Sequence, residues 1–323
     1  MYRGLECLAA TQELVEEAVR WSDPAEQEEV VLGREILRLA LTDTQINQLL
    51  ATRDSLSKYC TWLEASDLPP GIPKNVLGGL KIHRGGCLVL HVPSYLRGLW
   101  RACKRLAEQG NVQLEFRICE ASQSLVDAID WSNYDTVVLA AGAGLLQEPG
   151  LWRVESARLP VQLVRGQSIE MKVLDPLPAA LLCGKYVSPL PGDRRVLVGA
   201  THEFKDNPLP VADVTTTLRN ATAPFYDWPD DEGVDIERIT SGYRVQSQRG
   251  PRGRRPLLGP ISADDGFPHH DNAYIYTGLS SRGLLYHAYY ARALVHQIMG
   301  APGKDALFDA ALTTEDWHWW RSR

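Results

Sequence analysis

The 323 residues are 44% hydrophobic and 23% charged, the balance of an ordinary folded globular protein. The formal net charge of −6 offers no global field to nucleic acid or an anionic membrane, and no apolar run reaches the roughly 18 residues that a bilayer span needs. The six cysteines are scattered, with no Cys-x-x-Cys pair and no zinc spacing, so they read as free thiols of a reducing compartment and no metal site is expected.

In chain order, Leu5 to Trp21 keeps helical apolar spacing and Asp23-Pro24 ends it. Val30 to Leu41 reads as two apolar strands split by Gly33, and Thr42 can cap a helix over roughly Gln45 to Leu63. Pro69 to Pro73 is a linker. Leu80 to His91 reads as two strands joined by Arg84-Gly85-Gly86. A helix follows from Pro93-Ser94 to about Gln109, with Leu96, Leu99, Trp100, Cys103 and Leu106 on one side, then a strand from Val112 to Ile118. Tyr134 to Gly144 is a continuous apolar strand that ends in small residues, which suits a buried parallel strand whose end lets a ligand or helix come close. It lacks the third glycine of Gly-x-Gly-x-x-Gly.

From Leu159 the texture changes to alternating strands: Val161–Met171, Tyr186–Pro189 and, after the turn at Pro191-Gly192-Asp193, Arg195–Thr201. A helix spans roughly Val211 to Phe225, and Ile236 to Tyr243 is a strand leading to Arg244. Arg249, Arg252, Arg254 and Arg255 then cluster among Pro and Gly, either as a solvated loop or as a nucleic-acid footprint. Tyr274 to Tyr276 is a short strand. Gly278 and Gly283 bracket a tight turn, and helical spacing then runs through Leu284, His287, Ala288, Ala291, Leu294, Val295 and Met299 until Gly300 and Pro302 stop it. Free amides at such a helix start can seat an anion or an electron-rich carbonyl, although an ordinary strand–turn–helix connection has the same pattern.

Several blocks, in order, resemble the FAD-dependent amine and amino-acid oxidoreductases of the D-amino-acid oxidase superfamily: Tyr2 to Glu17, Asp135 to Gly144, Val164-Arg-Gly-Gln167, Lys185-Tyr-Val-Ser-Pro189, Val198-Gly-Ala-Thr201, Gly242-Tyr-Arg244 followed by Arg255 to Pro260, and Thr277 to Leu284. Arg165-Gly-Gln and Gly278-Leu-Ser-Ser-Arg-Gly are most similar to glycine and sarcosine oxidases and to the oxidase domain of the bacterial tRNA methylaminomethyluridine biosynthesis protein.

The resemblance implies an α/β, two-domain fold: an incomplete Rossmann-like FAD domain, lacking its first βαβ, over 1–22, 92–158 and 251–323, interrupted by a mixed β substrate domain with an antiparallel sheet over 23–91 and 159–250. It implies FAD as cofactor and oxidation of the C–N bond of a small amino acid or secondary amine. A tRNA wobble-uridine side chain is the alternative substrate, and a fragment that does not retain FAD the third reading. Arg244 would clamp the substrate carboxylate and Tyr186 would line its pocket. Ala141, Gly142, Gly144, Gly278, Ser280, Ser281, Arg282, Gly283 and Leu284 would meet the cofactor. Cys87 would be the one candidate for a covalent flavin link, in a place unlike the family's.

The family's opening strand, Gly-x-Gly-x-x-Gly and acidic-ended second strand have no counterpart here. Met1 falls where relatives have roughly 60 residues behind them, so a truncated product, a short isoform or an incomplete gene model is expected, with weakened FAD affinity. A cytoplasmic place is expected, with an organelle left open.

Overall fold

In the computed structural model, which describes residues 3–119, 124–153, 159–204, 207–229, 235–250, 253–300 and 319–320, the chain opens with helices α1 (Gly4–Trp21) and α2 (Pro24–Val30). Strands β1 (Val31–Gly33) and β2 (Ile36–Ala40) lead to α3 (Asp43–Ser55), β3 (Cys60–Glu64), β4 (Gly78–Ile82), β5 (Val89–Leu90) and α4 (Val92–Gly110). Then come α5 (Leu125–Ala128), β6 (Val137–Leu139), α6 (Gly144–Gln147), β7 (Val161–Lys172), β8 (Ala180–Cys183), β9 (Lys185–Pro189), β10 (Arg195–Gly199) and α7 (Val211–Thr222). The last elements are β11 (Asp235–Ser247), β12 (Leu257–Ile261), β13 (Ala273–Thr277) and α8 (Gly283–Ile298). Arg252 and Pro302 lie outside the described residues.

The chain divides into two compact units. The first comprises Met1–Leu14, Gln113–Val164 and Tyr243–Arg323; the second comprises Val15–Val112 and Arg165–Gly242.

In the first unit, β12, β13 and β6 form a three-stranded sheet, with β12 antiparallel and β6 parallel to β13. Strand alternation divides its side chains between two cores. Leu257, Ile275 and Leu139 face one way, with Trp319 and Trp320. Leu258 and Tyr276 face the other, where Cys7 and Ala10 of α1 meet Tyr286, Tyr289 and Tyr290 of α8. The buried side of α8 therefore differs from the expected apolar stripe: Leu284, Val295 and Met299 of that stripe are exposed. Each tyrosine buries on the order of 150–250 Å², so a tyrosine face outweighs a mixed one of Leu, Val and Met. The polar tips are also served: Arg3 Nη1 donates to Tyr289 Oη at 2.9 Å, and Arg282 Nη1 to Tyr286 Oη at 2.9 Å.

In the second unit, β11-β7-β10-β9-β8-β2-β4-β3 form an eight-stranded sheet, antiparallel along β7-β10-β9-β8 and along β2-β4-β3, with β2 and β8 parallel. One side packs Leu37, Leu181, Val187, Val196 and Val198 against Val214 and Leu218 of α7. The other side packs Ala40 and Leu80 against Leu49 of α3. Here α4 and α1 cross closely. A Cβ on Gly98 would run into the Ala18 carbonyl and the Ser22 hydroxyl, so glycine permits the contact.

Several expected elements are corrected. The α3 helix stops at Ser55, and Cys60–Glu64 is a strand, because Leu56 leaves helical geometry and Cys60, Thr61 and Trp62 find a ladder on β4. The Leu80–His91 strands are not paired with each other: β4 joins β2 and β3, whereas β5 joins β1. On α4 the buried positions are Ser94, Tyr95, Gly98 and Ala102, while Leu96, Cys103 and Leu106 are exposed. Val112 to Ile118 forms no strand among the described residues, and Val112, Leu114, Phe116 and Ile118 are exposed. The Tyr134–Gly144 run yields only a three-residue strand, β6, with Val138 exposed rather than buried.

Candidate functional site

In the first unit, β13 ends at Thr277 and the chain turns at Gly278, where φ is 72°. A Cβ there would come within 2.8 Å of Leu257 Cδ1, so glycine alone both turns and clears β12. Leu279 bridges to Gln246 of β11, and Ser280 to Arg282 make one 3-10 turn with Ser280 at φ 58°. The α8 helix starts at Gly283 with Arg282 as N-cap and no side-chain cap, which leaves its first-turn amides without a capping acceptor. A Cβ on Gly283 would meet nothing within 4 Å beyond its own helix. Two buried hydroxyls near this turn have no hydrogen-bond partner among the described residues, Thr277 Oγ1 and Ser247 Oγ. Thr11 Oγ1 donates to the Leu284 and Leu285 carbonyls at 3.2 Å each, tying α1 to the start of α8. Ser281 and Leu284 are exposed, and the Arg282 guanidinium lies 5.8 Å from the Tyr286 ring centre rather than beside a carboxylate.

Arg244 stands half-buried on β11 and forms no hydrogen bond or ion pair among the described residues. Ala141 is exposed at the end of β6. Gly142 turns at φ 54° with nothing within 4 Å of a Cβ position, and Gly144 begins α6. Of the arginine cluster, Arg254 donates to the Ser247 carbonyl and Arg255 lies 5.0 Å from the Trp319 ring centre.

Tyr186 belongs to the second unit. The register places it between Gly199 on β10 and Leu182 on β8, on the side of the sheet away from α7. A Cβ on Gly199 would collide with the Tyr186 ring and hydroxyl and with Ser168 Oγ. That glycine lets the ring lie across the sheet, where its hydroxyl shares a 3.1 Å hydrogen bond with Ser168 Oγ. Behind it sits a buried polar cluster. Thr201 Oγ1 and Gln167 Nε2 donate to the Glu203 carboxylate, the Leu209 amide donates at 3.3 Å, and Arg165 Nη1 lies 3.9 Å away. Burial opposes the Glu203 charge, but those donors and Arg165 outweigh it and hold its carboxyl below the usual range.

Burial also decides the thiols and the helix histidine. It pushes Cys7 up to about 12 and, with help from Glu35 and Cys60, Cys87 up to about 11. Neither thiol is poised as a thiolate for covalent attachment. Burial lowers His287, against the bonds it makes to the Leu284 and Gly283 carbonyls. Among the described residues there is no group of three or more His, Cys, Asp or Glu that could hold a metal ion. No helix there is long and apolar enough to cross a membrane.

Thr277, Ser168, Glu203 and Arg38 were not foreseen. Arg38 had a readable signal, a lone charge alternating with apolar residues along Ile36-Leu37-Arg38-Leu39-Ala40, which turns it to the opposite side from Leu37 and Leu39.

The family profile described as FAD dependent oxidoreductase, DAO, matches residues 2–297. The chain belongs to this family. FAD is the cofactor of this oxidoreductase family, and the mixed α/β, two-unit architecture is that of its solved structures. Glycine oxidase from Geobacillus kaustophilus superposes with a TM-score of 0.68 at 20% identity, over 96% of this chain and 82% of that one. Iminodiacetate oxidase from Chelativorans sp. BNC1 gives 0.66 at 18% identity, over 95% and 82%. Glycine oxidase from Bacillus cereus ATCC 14579 gives 0.64 at 15%, over 94% and 84%. No curated protein sequence matches the chain closely.

The residues fit the group at one end. The uncapped start of α8, the open space over Gly283 and the Thr277 and Ser247 hydroxyls, unpartnered among the described residues, make a polar and open end whose chemistry would suit the electron-rich carbonyls of a flavin ring. No Gly-x-Gly-x-x-Gly occurs in the 323 residues to start a helix under the pyrophosphate.

Proposed function

We propose that this FAD-dependent oxidoreductase oxidises the C–N bond of a small amino acid or secondary amine. The observation that carries the reading is Arg244, a half-buried guanidinium with no intramolecular hydrogen bond or ion pair among the described residues. Such a group offers a planar two-donor fork to a carboxylate. The names of the structural neighbours, glycine oxidase and iminodiacetate oxidase, support a small amino-carboxylate.

FAD, when bound, accepts a hydride from the carbon next to the substrate nitrogen. The chain's own residues bind and orient. Gly278, Ser280, Ser281, Arg282, Gly283 and Leu284 would border the ring end, with amides of the first turn of α8 as its donors, although the Arg282 amide is already given to the Leu279 carbonyl, and the helix dipole of α8 would favour negative charge there. Ala141, Gly142 and Gly144 give a second close approach. Arg244 fixes the substrate carboxylate; Tyr186, whose hydroxyl is held by Ser168, is the further residue proposed to meet substrate.

Steady-state kinetics on Arg244→Ala test this. Loss of a charge-assisted bidentate pair should raise KM by roughly 100-fold, while flavin absorbance and melting temperature stay as in the wild type. An unchanged KM for every amino-carboxylate tried would place the clamp elsewhere.

A further inference from the structure

The second unit carries a cation that its neighbours leave unused. Registers align Gly199, Tyr186, Leu182, Arg38, Leu80 and Trp62 in one row across β10, β9, β8, β2, β4 and β3, on the side away from α7. Beside this row, α3 and the β8–β9 turn enclose a cavity of about 500 Å³, with Arg38, Gln48, Thr52, Lys185 and Tyr186 among its lining.

Three observations give the cavity a chemistry. First, Arg38 is exposed and makes no hydrogen bond or ion pair among the described residues. Several other arginines of this unit are matched, Arg195 with Glu170 and Glu237, Arg238 with Glu170, Arg101 with Asp23 and Glu26, and although Arg34 and Arg84 also lack an acidic partner among the described residues, neither lines this cavity. Second, the lining contains two cations and no acidic residue, so its field is positive. Third, the remaining groups are occupied or neutral. Lys185 Nζ donates to the Ala200 carbonyl, Gln45 serves the Leu41 amide and Cys183 Sγ, and Thr52 Oγ1 donates to the Gln48 carbonyl. Burial keeps the Cys183 thiol protonated despite Gln45 and Arg38. The one wholly available charged donor is therefore a single planar fork. A single fork matches one carboxylate; a dianionic phosphate would call for more than one free cation.

We propose that this cavity is a binding site for a small organic carboxylate, held bidentately by Arg38 with the Gln48 side chain beside it. The site stands on its own geometry and needs no flavin. Only the identification of the carboxylate as an amino acid or its oxo acid rests on the reading under Proposed function.

The test is calorimetric titration of the purified full chain with sarcosine and glyoxylate, with sarcosinamide and inorganic phosphate as comparison probes. Saturable heat is expected for the carboxylates, none for the amide, and weaker binding for phosphate. Arg38→Gln should weaken carboxylate binding at least tenfold. Gln48→Glu, which sets a like charge at an exposed position beside the fork, should do the same with an unchanged melting temperature. No saturable heat with either carboxylate overturns the proposal. So does equal affinity in Arg38→Gln, or phosphate binding tighter than both carboxylates. The amine-oxidation reading fails by a different readout, flavin absorbance and reduction, so either can fall without the other.

Discussion

Gly278 and Gly283 stand five residues apart and answer to opposite constraints. Gly278 lies at φ 72° against Leu257, whereas Gly283 has helical geometry and open space where a side chain would go. Gly278→Ala should therefore destabilise the protein by about 1–2 kcal/mol or more from backbone strain alone, read as a lower urea midpoint. Gly283→Ala should leave that midpoint unchanged or slightly raised, because alanine favours the helix. If the open space belongs to the flavin ring, the same Gly283→Ala variant should lose flavin affinity. Unaltered affinity would show that the ring lies elsewhere. The bracketing glycines were legible in the sequence, since only two glycines around Leu279-Ser280-Ser281-Arg282 make a turn that tight. The unpartnered hydroxyls of Thr277 and Ser247 were not, because an absent hydrogen bond exists only once neighbours are placed. Arg38 lies between these cases: its outward direction follows from alternation, but its lack of an acidic partner depends on which strands flank β2.

At the scale of elements, local signals located most helices and left their buried sides open. The Thr42 cap is real, its hydroxyl accepting the Gln45 amide at 3.3 Å, and α1, α4, α7 and α8 lie close to where apolar spacing and proline punctuation put them. Apolar spacing failed to pick the packed side of α4, where small residues win. Gly98 brings the helix backbone against Ala18, a gain that Leu96 or Leu106 on the other side cannot match. Gly98→Leu should thus cost about 1–3 kcal/mol by overpacking, whereas Leu106→Gln, at an exposed position, should change the urea midpoint little. Equal midpoints for the two variants would contradict the close α1–α4 crossing. Strands were harder to read because a strand is defined by its partner. Val112 to Ile118 alternates like one, yet no ladder receives it among the described residues; β8 and β12, short and without clear alternation, pair firmly.

For the whole molecule, pH dependence should come in part from the buried cluster of the second unit. Glu203 has a folded-state pKa below that of the unfolded chain, about 4.3. Its contribution to stability is therefore complete above that value and is lost as pH falls through the folded pKa. Glu203→Ala removes the acceptor of the Thr201, Gln167 and Leu209 donors and should cost about 1–3 kcal/mol at pH 7. In urea unfolding, the gap between wild type and Glu203→Gln should narrow as pH falls below the unfolded value, about 4.3, and through the folded pKa; a constant gap would mean that folding leaves the Glu203 pKa unchanged. Family membership and the two-unit α/β plan follow from the match over residues 2–297. The proposed seat of the flavin ring is the start of α8, uncapped by any side chain and open at Gly283. The direct measurement is a spectrophotometric titration of the purified 323-residue chain with FAD and, separately, FMN. Both should bind with perturbed flavin absorbance bands, because the proposed contacts lie at the ring that the two flavins share. No spectral change and no shift in melting temperature with either flavin would contradict the account.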